Sequence, residues 1–63
     1  MAPVTNKTME DLNEIMCALP RDLFVLSQRA TEAWYNFGSR YLLKEASERI
    51  GLTAEEILFW WDN

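Results

Sequence analysis

From Leu12 to Trp61 apolar side chains recur three and four positions apart, and three short interruptions divide them: Leu19-Pro20, Gly38-Ser39 and Gly51-Leu52-Thr53. That spacing is the helical period, and nowhere does it give way to the strict alternation of a strand. The chain is therefore expected to be all-α, a small domain of three to four helices without a sheet. Its 63 residues leave room for one domain, which buries about 60% of the surface that its unfolded form exposes. Typical per-residue values then give a stability of only roughly 3 to 9 kcal/mol.

The interruptions set the expected boundaries. Residues 1–7 carry Pro3 and no periodicity, which suggests a flexible amino-terminal arm ahead of a single helical domain over 8–63. Thr8 suits an N-cap, Glu10 and Asp11 suit the positive end of a first helix, and Leu12, Ile15, Met16 and Leu19 share one face, giving a helix over about 8–19. Pro20 pushes Leu19 out of the helical region and itself fits the first position of a second helix, about 20–37. In that helix Leu23, Leu26, Ala30, Ala33, Trp34 and Phe37 form one stripe, with Phe24 and Tyr35 on the other side. Prolonging the stripe past Gly38 would turn Lys44, Glu45 and Glu48 inward, so a break is expected there, with Ser39 capping a third helix over about 39–50. One continuous helix over 20–50 would need a second chain to cover the rotated face. Gly51 suits a helix end, and Thr53 with Glu56 three residues on is a capping box for a fourth helix over 53–63. Trp34, Phe37, Ile57, Trp60 and Trp61 are the expected core anchors, and Leu58, Phe59 and Asp62 point away from them.

Charge and residue inventory narrow the chemistry. Ten acidic against six basic side chains leave a net charge of −4, so polyphosphate is repelled at long range and nucleic acid is an unfavoured partner. There is no His and one Cys, and Cys17 reads as a small core hydrophobe rather than a reactive thiol. Ser27, Ser39 and Ser47 have no His to activate them, and the carboxylate pairs Glu10-Asp11 and Glu55-Glu56 fall where a helix dipole accounts for them. No catalytic residue, cofactor or metal site is expected, and an enzyme is not. Without an apolar run long enough to span a bilayer or a secretory leader, the chain is expected to be soluble and to stay in the cytosol, with no membrane partner.

The segment from Glu45 to Asn63 resembles a homeodomain-like helix-turn-helix. Ile57, Trp60, Trp61 and Asn63 follow the V-x-x-W-F-x-N pattern of its third helix, after a turn at Gly51-Leu52-Thr53. The resemblance implies that Trp60 and Trp61 anchor that helix and that Asn63 would contact an adenine in the major groove of DNA. This chain departs from the family at the groove-facing positions, which hold Leu58, Phe59 and Asp62, and no basic run follows Asn63. Two hydrophobes and a carboxylate against phosphate weaken that reading, and a DNA-binding regulator is the second function rather than the first.

Leu58 and Phe59, with Phe24, Tyr35 and Asp62, read instead as a partner-binding surface. The bland alternative is that Leu58 and Phe59 pack on the first helix. Burying one such Phe or Leu stabilises by about 1.5 to 3 kcal/mol, and a homodimer is the economical form because a two-fold contact uses one patch twice. In length, acidity, helical character and its Met1-Ala2-Pro3-Val4-Thr5-Asn6-Lys7 start, the whole chain resembles the small early proteins of lambdoid bacteriophages encoded between exo and xis. That resemblance implies an early phage protein that is not an enzyme and that influences the choice between lysogeny and lytic growth. It would do so by binding a host or phage protein.

Overall fold

The computed structural model describes residues 7–63, and within them the chain forms four helices and no strand: α1 (Met9–Ala18), α2 (Arg21–Phe37), α3 (Tyr41–Ile50) and α4 (Ala54–Asp62). The break at Gly38 therefore exists, and the bounds differ from expectation by a residue or two at the caps. The expected arm lies outside the described residues over 1–6, but Lys7 is not loose: its ammonium lies 3.3 Å from the buried carboxylate of Glu56.

Local chemistry explains each end. Thr8 accepts from the Asp11 amide while Asp11 accepts from the Thr8 amide, and Thr53 and Glu56 repeat the arrangement at α4, so both helices start with a capping box. Pro20 sits at the N-cap of α2, one position earlier than expected. Gly38, at φ 67°, ends α2 in a left-handed turn in which its amide and that of Ser39 donate to the carbonyls of Trp34 and Ala33. The first intrahelical bond of α3 runs from the Lys44 amide to the Arg40 carbonyl at 3.0 Å, so the helix starts one residue after the position that Ser39 could cap. The expected Ser39 cap is thus replaced by Arg40, whose side chain makes no capping bond. Gly51, at φ 87°, closes α3 in the same left-handed manner.

Helices α2, α3 and α4 contact one another, and α1 lies against α4. Leu12, Met16, Ala30, Leu43, Ala46, Leu52 and Ile57 form the buried centre. Leu26, Trp34, Trp60 and Trp61 are half-buried around it. Three readings of the sequence need correction. Phe37, expected in the core, is 83% exposed, because the buried face of α2 is Ser27, Ala30 and Thr31 instead of a stripe ending at Phe37. At 100° per residue the face is turned by roughly 70° from the one drawn through the apolar residues alone. Small hydroxyl side chains permit this, since Ser27 donates to the Phe24 carbonyl at 2.7 Å and Thr31 to the Ser27 carbonyl at 2.9 Å, leaving no buried side-chain nitrogen or oxygen unpaired among the described residues. Cys17 lies on the solvent side of α1, not in the core. Phe24 and Leu58, expected to face outward, are half-buried and pack on the core.

Candidate functional site

Four large hydrophobic side chains remain conspicuously open among the described residues: Phe37 (83%), Tyr41 (74%), Tyr35 (58%) and Phe59 (36%). Phe37 is the last residue of α2 and Tyr41 the first but for its cap of α3, so both are carried by the Gly38 corner. One side chain of the corner reaches both neighbouring helices. Arg40 places its guanidinium 5.3 Å from the centre of the Trp34 ring and 3.7 Å from the Glu55 carboxylate, joining α2 and α4 to the start of α3. Beside it a shallow groove of about 490 Å³ is lined by Arg40, Tyr41, Leu43, Lys44, Ser47 and Ala54. Tyr41 also borders a second groove with Lys44, Glu45, Glu48 and Arg49, in which Arg49 pairs with Glu45 at 3.4 Å. Lys44, common to both grooves, makes no ion pair among the described residues.

The surface expected from the sequence is divided by the fold. Tyr35 and Asp62 do come together, the phenol donating to the carboxylate at 3.3 Å. Slight loss of water around the ring, the charge of Asp62 and this hydrogen bond all favour the neutral phenol and raise its pKa above the ordinary 10.0. Phe24 instead joins Trp60 and Trp61 in an aromatic cluster, with ring centres 6.0 and 5.4 Å away and the two indoles 5.0 Å from each other. The Trp61 indole N–H donates to the Ser27 hydroxyl at 3.2 Å. Leu58 belongs to the packed side of α4, so Phe59 alone of that pair is open, and only partly.

Asn63, the residue aligned with base contact, donates its carboxamide to the Phe59 carbonyl at 2.7 Å. Helix α4 carries no Lys or Arg, and Glu55, Phe59 and Asp62 lie on its exposed side. No group of three metal-ligating side chains occurs among the described residues, and none of the described helices is long and apolar enough to cross a membrane. Phe37 was missed because an apolar residue at a helix end looks like core, and Tyr41 was assigned to no face; the flanking Gly38, which ends α2 at positive φ, was the available signal for both. The chain matches no protein-family model, no curated protein and no solved structure.

Proposed function

We propose that this protein is an interaction module that acts by occupying a partner protein, with the aromatic corner between α2 and α3 as its docking surface. The observation that carries the reading is the exposure of Phe37 and Tyr41 at 83% and 74% on a corner where Arg40 contacts Trp34 and Glu55. Rigid aromatic side chains lose little conformational freedom on binding and bury a large area, which is why such residues dominate the energetics of protein interfaces. The surface expected at Leu58, Phe59 and Phe24 contributes less, since two of the three already pack on the core. Tyr35 and Asp62 lie nearer the end of α4, tied to each other. In the early-phage setting that the sequence resembles, the partner is a host or phage protein, and the consequence is a shift between lysogenic and lytic growth without chemistry performed by this chain.

Affinity capture from infected cells tests the proposal, using wild type, Phe37→Asp/Tyr41→Asp and Phe59→Asp, each first checked for helicity. A protein retained by wild type and Phe59→Asp but depleted at least about tenfold by the double variant is the expected result, as two hot-spot losses of about 1 kcal/mol or more would give. Equal capture by wild type and the folded double variant would remove the corner as the docking surface.

A further inference from the structure

One flank of α2, beside its buried face, bears a second feature, independent of the corner. Arg21, Asp22, Val25, Leu26 and Arg29, all from this one helix, line a broad, shallow depression of about 590 Å³. Val25 is half-buried, and Leu26 touches the core with one edge. Arg21, Asp22 and Arg29 make no ion pair or side-chain hydrogen bond among the described residues. Along the helix the order is carboxylate, apolar, apolar, guanidinium at 22, 25, 26 and 29. That order is antisymmetric in charge about the midpoint between Val25 and Leu26.

We infer that this face pairs with the same face of a second copy, the two α2 helices running antiparallel about a two-fold axis between Val25 and Leu26. Such an axis sets Val25 against Leu26 of the second copy and Asp22 against its Arg29, and the symmetry makes each contact twice. The two ion pairs then bracket the apolar contact, roughly 10 Å apart along the helix at 1.5 Å per residue. Two neighbouring arrangements fare worse on charge. A parallel pair puts Asp22 beside Asp22 and Arg29 beside Arg29, and shifting the axis onto Val25 opposes Arg21 to Arg29. An acidic helix from a different protein would suit the two arginines but would meet the carboxylate of Asp22 between them. A second copy carries the same order reversed and so answers Asp22 and Arg29 together, with Arg21 left outside the pairing. One helix face is smaller than the ~800 Å² per partner of a standard interface, so the dimer is weak and concentration-dependent.

Sedimentation equilibrium of the full chain from about 10 µM to about 1 mM spans the affinities such a contact supports. Wild type is expected to dimerise across this range. Asp22→Arg or Arg29→Asp alone creates two like-charge contacts and weakens the dimer by about tenfold or more. An equimolar mixture of the two single variants restores association as a heterodimer, because the arginines at 22 and 29 of one chain meet the aspartates of the other. The double variant Asp22→Arg/Arg29→Asp restores a homodimer. Far-ultraviolet circular dichroism of the same samples verifies folding, and Phe37→Asp/Tyr41→Asp leaves the dimer intact. A wild type that is monomeric throughout, a dimer indifferent to these charges, or a mixture that stays monomeric would each overturn the inference.

Discussion

Tyr35 and Asp62 stand 27 positions apart, and their hydrogen bond ties the exposed side of α2 to the end of α4. Folding makes the phenol a weaker acid, so the folded chain holds that proton more tightly than the unfolded one. The resulting stability is complete below the ordinary phenol pKa of 10.0 and is lost as pH rises through the higher folded value. Denaturant titrations above pH 10 should therefore show stability falling faster for wild type than for Tyr35→Phe, whose ring cannot ionise. Asp62→Asn should bring the phenol midpoint, followed by absorbance near 295 nm, down toward 10.0. A midpoint that does not move would mean that the carboxylate is not what restrains the phenol. The sequence placed Tyr35 and Asp62 on outward faces, but it held no sign that they meet, because contact across such a separation depends on how two helices are set against each other. Ser27 illustrates the same limit: its hydroxyl partners the Trp61 indole, and polarity alone argued against burying it.

Helix boundaries, by contrast, are decided within a few residues, and here they were readable. Thr8 and Thr53 each begin a helix by exchanging hydrogen bonds with the third residue on, and Gly38 and Gly51 each end one with positive φ. The two capping boxes differ in setting. That of Thr8 is exposed, whereas that of Thr53 holds Glu56, which is 4% exposed and also faces Lys7. Removing the Thr53 hydroxyl takes the acceptor from the part-buried Glu56 amide, while the Thr53 amide that donates to the buried carboxylate remains. Thr8→Ala is expected to cost about 0.5 kcal/mol and Thr53→Ala about 1 to 2 kcal/mol, the two ends of the range for lost caps. Urea unfolding of the pair measures the difference, and equal losses would show that burial of Glu56 adds nothing. The rotational setting of α2 was less legible. Its apolar residues alone favour a face that includes Phe37, and the true face runs through Ser27 and Thr31, whose hydroxyls bond back to their own helix.

For the whole molecule the margin is small. The buried centre is a few aliphatic side chains from all four helices and the Leu52 turn, and Leu43 is fully enclosed among them. Leu43→Ala should cost about 2 to 5 kcal/mol through lost burial and the cavity left behind, against a total of roughly 3 to 9 kcal/mol for a chain of this length. A denaturation midpoint shifted far down at unchanged slope is the expected outcome; a loss below about 1 kcal/mol would place Leu43 outside the cooperative core. Helical period, caps and glycine turns reside in neighbours along the chain, so the amino-acid order alone determined the all-α class and the caps at Thr8 and Thr53, while three or four helices, and a break or a continuous helix over 20–50, stayed open until the structure showed four. Which apolar residues are enclosed and which are left in water depends on the mutual rotation and crossing of those helices. That is why Phe37 and Tyr41 emerged as the open corner, and Phe24 and Leu58 as part of the packing, only once the four helices were assembled.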